Sequence, residues 1–193
     1  MYWTAWGWRF ALGLVASIFV HEMGHVAALR RLGVPASAPM FIPGLGAFVK
    51  HAPIGRPEDE ARVALAGPLW GLGATLAACA AHFATGGAIW AALAQWSARI
   101  NLFNLAPVPP LDGATAFRAM SRGQRWLVVL TIGALRYHTG EGLLWLLLFL
   151  AVVQALGPAA RVDANWTTVA GFVFLLAALA GLTRIPVPLS AQP

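Results

Sequence analysis

Two histidines and a glutamate interrupt an apolar run between residues 10 and 29, in the stretch FVHEMGHVAAL at residues 19–29. Four positions apart, His21 and His25 project from one face of a helix about 6 Å apart at Cβ, close enough for two imidazoles to share a metal ion. Glu22 lies beside them. Zinc suits such a set because it takes nitrogen and oxygen ligands tetrahedrally, and two imidazoles with one carboxylate leave a fourth position for water. A metal lowers the pKa of that water toward neutrality, and Glu22 is placed to accept its proton and pass it to a departing amine, which is the chemistry of peptide hydrolysis. The competing explanation is a polar helix face packed inside a bundle. Two histidines and a carboxylate within a membrane segment carry a desolvation cost that favours function over packing.

The elements that must position these residues are membrane helices. Of 193 residues, 59% are hydrophobic and 10% charged, which is not the composition of a soluble globule. Residues 63–98 contain no Asp, Glu, Lys or Arg, enough for two crossings joined at Gly86 and Gly87, and further charge-free runs cover 142–160 and 164–183. The expected fold is an all-α polytopic membrane protein of five to six transmembrane helices, with a short β-hairpin after the first. Residues 1–121 are expected to form a three-crossing core that includes the hairpin region 39–51, and residues 122–193 accessory segments. The net charge of +6 is not a nucleic-acid signature, because no Lys/Arg cluster with interleaved aromatics accompanies it. It fits the positive-inside rule instead: Arg30, Arg31, Lys50, Arg56 and Arg62 follow the first crossing, and Arg118, Arg122 and Arg125 follow the third. Both loops should face the cytoplasm. Trp3, Trp6, Trp8, Trp90, Trp126 and Trp166, near segment ends, suit interfacial anchoring. The single cysteine, Cys79, permits no internal disulfide and reads as buried packing. The first hydrophobic run holds the metal motif and is therefore not expected to be a cleaved signal.

Taken in order, the first crossing is expected at 7–31, with Gly33 and Pro35 ending it and a hairpin turning at 43–46. Such a hairpin is either an ordinary surface element or a free edge for an extended peptide. RPEDEAR, residues 56–62, reads as a solvated helix start with Glu58, Asp59 and Glu60 near the positive dipole end. The second crossing, about 61–84, carries AGPLWGLGA, whose small residues admit close helix neighbours, and Pro68 is expected to kink it. His82 falls at its far end and reads as interfacial. The third crossing starts near Ala88 and runs into ARINLFNLAPVPPLDGATAF, where Pro107, Pro109 and Pro110 open the backbone. Asp112 follows. Three crossings return it to the same membrane side as His25, so it is the expected third ligand; the alternative is a helix-capping Asp. Asn101 and Asn104 lie one turn apart, and either could donate to a developing oxyanion or tie helices together. Gln95 and Arg99 should face the bundle interior or a water-filled pocket rather than lipid. Residues 126–135 allow a short span, a re-entrant piece or an interfacial helix; 141–157 and 166–183 read as plain crossings, with Glu141 capping a helix after Gly140.

HEMGH at 21–25, AGP at 66–68 and NLAPVPPLDG at 104–113 together resemble the site-2 protease family of intramembrane zinc metalloproteases, over roughly the first two thirds of the chain. The resemblance implies one zinc ion on His21, His25 and Asp112, Glu22 as general base and acid, Asn104 positioning the scissile carbonyl, and a hairpin that aligns substrate. Gly71 stands where many relatives have Asn, and Ala114 replaces a common second glycine; these departures bear on helix packing, not on ligands. No PDZ or CBS domain is expected. The function implied is endopeptidase cleavage in or near a substrate's transmembrane segment, close to the cytoplasmic face of a bacterial inner membrane. The partners expected are a membrane-protein or peptide substrate, the lipid bilayer, and a regulatory membrane protein or second copy of the chain. The rivals are a catalytically silent metal-binding scaffold and a metal transporter. The second would need polar groups leading to the other face, of which the later crossings supply almost none.

Overall fold

A long apolar helix, α1 (Tyr2–Arg31), begins the chain and breaks only at Gly7, whose φ is 51°. From there it runs unbroken through both histidines to its exposed basic end at Arg30 and Arg31. In this computed structural model, which describes residues 2–42, 46–158 and 165–187, two short strands follow. They are β1 (Met40–Ile42) and β2 (Gly46–Phe48), paired antiparallel with Phe41 opposite Ala47. The hairpin turn expected at 43–46 falls largely on residues 43–45, outside the described residues, as do the side chains of Trp3 and Trp6.

α2 (Pro57–Thr85) starts four residues earlier than the hydrophobic pattern suggests, because RPEDEAR forms its first turns rather than a separate start. Pro57 at the first helical position loses no hydrogen bond, and three acids occupy the first turn where the dipole favours them. Asp59 is not solvated as expected. It is 7% exposed and accepts from Arg56 Nε at 2.7 Å and Arg62 Nη1 at 3.3 Å. The helix continues without interruption through Pro68 and ends in the left-handed conformation at Gly86. α3 (Ala88–Asn104) then returns antiparallel to it. Irregular backbone over residues 105–111, with a cis bond between Pro109 and Pro110, leads to the short α4 (Asp112–Arg118).

Side-chain contacts set the register of the three long helices. Ser17 Oγ meets Ser97 Oγ at 2.6 Å and His21 Nδ1 meets Asn101 Oδ1 at 2.7 Å, each pair separated by 80 residues, so α1 and α3 run parallel and in step. α2 lies against both: Thr75 Oγ1 is 2.7 Å from Ser97 Oγ, and the His25 ring reaches the Val63 carbonyl. His82 stays at the far end of α2, its Nδ1 3.1 Å from the Gly87 carbonyl.

The remaining helices buttress this group. α5 (Arg122–Thr139) carries residues 126–135 as part of one helix, begun by a reciprocal capping box of Ser121 and Gln124 and ended at Gly140. α6 (Leu143–Leu156) and α7 (Trp166–Leu182) follow, with Leu143 N–H donating to Glu141 Oε1 at 3.3 Å as a cap. A core including Leu102, Phe117, Ile132, Leu147 and Phe172 joins α3 and α4 to these helices. Polar ties reinforce it. Gln95 Nε2 donates to the carbonyls of Thr183 and Ile185, and Arg99 meets Glu141 at 3.3 Å, so both face the bundle as expected. Two helical stretches, Gly7–Arg31 and Pro57–Thr85, are long and apolar enough to cross a membrane. The apolar α6 and α7 are 14 and 17 residues long, about 21 and 26 Å, a little short of a ~30 Å hydrocarbon core.

Arg125 fastens α4 to this buttress. It is 5% exposed, and its Nε donates to the carbonyls of Phe117 and Met120 at 3.0 and 3.2 Å while Nη1 reaches the Gln154 carbonyl at 3.4 Å. A guanidinium here satisfies carbonyls at the C-terminal ends of two helices, where the dipole also favours positive charge. Arg125→Met keeps volume but strands these acceptors. It should destabilise the protein by about 3 kcal/mol, read as a lowered unfolding midpoint in mixed micelles; an unchanged midpoint would mean the ties carry no net stability.

Candidate metal centre

The centre is built at one height of the bundle from three elements. His21 and His25 stand on consecutive turns of α1, their ring centroids 4.9 Å apart and their Nε2 atoms 3.1 Å apart. Asp112, at the start of α4, reaches both: Oδ2 lies 3.1 Å from His21 Nε2 and Oδ1 3.4 Å from His25 Nε2. The three residues singled out from sequence as ligands are therefore in mutual contact. Glu22 is 6% exposed and offers a carboxylate oxygen within 4.8 Å of the imidazole nitrogens.

Hydrogen bonds on the outer side of each ring decide what its inner side presents. His25 Nδ1 lies 2.8 Å from the Val63 carbonyl, which can only accept, so Nδ1 carries the proton and donates. His21 Nδ1 faces Asn101 Oδ1 at 2.7 Å, and Asn101 Nδ2 donates to the Ser97 carbonyl at 2.8 Å, which turns the amide oxygen toward the ring. With the rings neutral, as metal ligands are, both Nε2 atoms then present lone pairs, to each other and to a carboxylate. Asp112 Oδ2 is buried and has no hydrogen-bond donor among the described residues. A cluster made only of acceptors, at 3.1–3.4 Å, requires positive charge at its middle. Imidazole nitrogens and carboxylate oxygens form a donor set suited to a divalent transition metal.

α2 leaves room for that charge. Gly67 faces both rings, and a Cβ built on it would overlap His25 Nε2 and lie 2.7 Å from His21 Nε2. Any side chain there would fill the point on which the nitrogens converge. The glycine of AGP is thus a requirement of the centre as well as of helix packing.

On its open side the centre lines a cavity of about 790 Å³. Asn104 and Ile100 of α3 form one wall, Ala47, Phe48 and Val49 at β2 another, and Glu60, His51 and Arg118 a polar rim. The two asparagines treated alike in the sequence separate here. Asn101 is 1% exposed and committed to His21, whereas Asn104 is half-buried and borders the cavity. Asn101 is the residue whose part in the site the sequence did not disclose. The signal was present in Gly71, because the space above that glycine is where the Asn101 amide lies.

A helical bundle holding an HExxH pair, a distant aspartate and a cavity beside them has the make-up of a metallopeptidase-type centre. Residues 9–87 match Peptidase family M50, the site-2 protease family. Among curated proteins it is similar to "Putative zinc metalloprotease Rip3" of Mycobacterium tuberculosis, in sequences from two strains, each 34% identical over 185 residues. The alignment covers 91% of this chain and 46% of the relative, so the chain spans less than half the length of the curated proteins it matches. No solved structure gives a significant match.

If the nitrogens and Asp112 hold a metal, Gly67→Ala should lower metal affinity about 100-fold or more, as should Asp112→Ala. Metal content after gel filtration, with chelator competition for affinity, measures both. Full retention by a folded Gly67→Ala protein would place the ion somewhere else.

Proposed function

We propose that the protein is a zinc-dependent endopeptidase of the membrane, in which His21, His25 and Asp112 hold one zinc ion and Glu22 and Asn104 act on the substrate. The observation that carries this is the donor-free convergence of two Nε2 atoms and the Asp112 carboxylate beside a second acidic group, Glu22. A scaffold that merely bound metal would have no use for that second carboxylate at the cavity wall. The zinc metalloprotease description of the M. tuberculosis relative supports the same choice of metal and reaction.

Zinc, when bound, would supply a Lewis acid and a water acidified to near neutrality. The residues supply the rest. Glu22, buried beside the imidazoles, accepts a proton from the attacking water and returns it to the departing amide nitrogen, so that no free amide anion has to leave. Asn104, across the cavity, donates its amide N–H to the carbonyl oxygen as that oxygen gains charge. An amide bond within a helix is hidden by its own hydrogen bonds, so substrate must unwind before it reaches Glu22. The edge of β2 offers a template for the unwound chain: Ala47 to Val49 line the cavity, and β2 pairs only with β1 among the described residues. A strand laid against it would be held by backbone hydrogen bonds irrespective of sequence.

The membrane reading follows from the same geometry. Charged residues gather at one end of the bundle: Arg30 and Arg31 end α1, Glu58, Asp59 and Glu60 begin α2, and Arg118 and Arg122 bracket the step from α4 to α5. The cavity opens there, which supports a multi-pass protein whose site faces the cytoplasmic side of a bacterial inner membrane. Residues 1–121 form the catalytic unit in this reading and 122–193 its support. Substrates are membrane proteins or peptides, selected within the bilayer or through a regulatory partner or second copy of the chain.

Purified protein with a panel of single-pass substrates tests the assignment. Glu22→Gln should keep its zinc and lose cleavage by roughly 10²–10⁴-fold. Asn104→Leu should lower kcat by about 10²-fold, also with zinc retained. Cleavage unchanged in Glu22→Gln would refute the role given to that carboxylate, and zinc without turnover on any substrate would favour a scaffold.

A further inference from the structure

Asn101 stands between two helices and touches a different feature of the site on each side. Its Nδ2 donates to the Ser97 carbonyl one turn back in α3 at 2.8 Å, and its Oδ1 faces His21 Nδ1 at 2.7 Å. Behind the amide lies Gly71 of α2, where a Cβ would overlap Asn101 Oδ1. α2 therefore has no side chain at the one height where the amide crosses toward α1.

We propose that Asn101 is a positioning residue of the metal centre: it holds His21 as the Nδ1–H tautomer, and Gly71 is the space that allows it to do so from α3. The inference rests on the reading of the centre as a zinc site. A neutral imidazole carries one proton, and an acceptor fixed at Nδ1 keeps that proton away from Nε2. Without it, the Nε2–H tautomer would aim a hydrogen at the point where Asp112 Oδ2 and His25 Nε2 converge. Outer partners of this kind orient ligating histidines and raise their basicity as ligands.

The simpler account, that Asn101 ties helices together, is weakened by what lies one turn away. Ser97 Oγ already bridges Ser17 Oγ at 2.6 Å and Thr75 Oγ1 at 2.7 Å, and Thr75 Oγ1 donates to the Gly71 carbonyl at 2.9 Å. Those hydroxyls join all three helices without the amide. Oδ1 of Asn101 is the acceptor that meets the ring of His21.

The test is chosen to read the ring itself. Nitrogen NMR of metal-free protein labelled in its histidine rings should show His21 protonated at Nδ1 in the wild type and shifted toward Nε2–H in Asn101→Leu. Zinc affinity by chelator competition should fall about 10- to 100-fold in Asn101→Leu. Gly71→Asn alone should also weaken zinc, because its side chain overlaps the resident amide. The double variant Gly71→Asn/Asn101→Ala, which offers an amide from α2 instead, should recover most of the affinity. Two results would overturn the proposal: an Nε2–H tautomer at His21 in the wild type, or unchanged zinc affinity in a folded Asn101→Leu protein. Should Asn101→Leu fail to fold, the wild-type tautomer decides. A wild-type protein that binds no zinc would instead defeat the functional reading, leaving the tautomer measurement to stand alone.

Discussion

Two neutral imidazoles and a carboxylate, buried together with their lone pairs converging, are the constraint on which the rest of this structure depends. His21 Nε2, His25 Nε2 and the Asp112 carboxylate meet within 3.1–3.4 Å, and backbone and amide acceptors have already drawn the ring protons to the outer nitrogens. In a low-dielectric interior that arrangement is repulsive until a cation occupies it. The close approach of α2 follows, since Gly67 must leave the cation's position empty and Gly71 must admit the amide that orients one ring. So does the anchoring of α4. A carboxylate held among competing acceptors needs a firmly seated helix, and Arg125 supplies that seat through the α4 carbonyls.

Much of this was legible in the chain. The two histidines announce themselves because i and i+4 share a helix face, a local geometry that owes nothing to the fold. Asp112 was reached by counting crossings, which works because membrane helices can only go in or out. α3 and the proline-opened segment after it fell where expected. The task of Asn101 is not legible in the chain, because it is defined by a partner 80 residues away and by a glycine on a third helix. The departure at Gly71 was noticed as a packing matter, and it is one. What no single stretch could say is that the missing side chain and the extra amide occupy the same space.

Two other differences have plain causes. Asp59 reads as solvated because acids crowd a helix start, yet two arginines three residues either side of it allow it to be covered. The uncertainty over 126–135 came from the arginines that bracket it. Weighed by charge, the segment looks too short to be a span; weighed by its ends, Ser121 with Gln124 is a capping box and Gly140 a terminator, and together they delimit the 18 residues of α5.

The matched register of α1 and α3 has a further meaning for how such a chain can change over time. Ser17 meets Ser97 and His21 meets Asn101 across the same 80 residues, so α1 and α3 keep one register over both rungs. Between the rungs Gly67 and Gly71 are fixed by the centre, whereas gains and losses at the Gly86 turn leave every pairing intact. One residue gained inside either partner helix, between those rungs, swings all that follows by about 100° and breaks the correspondence at a stroke. Length is tightly policed in the helices and loosely in the turns.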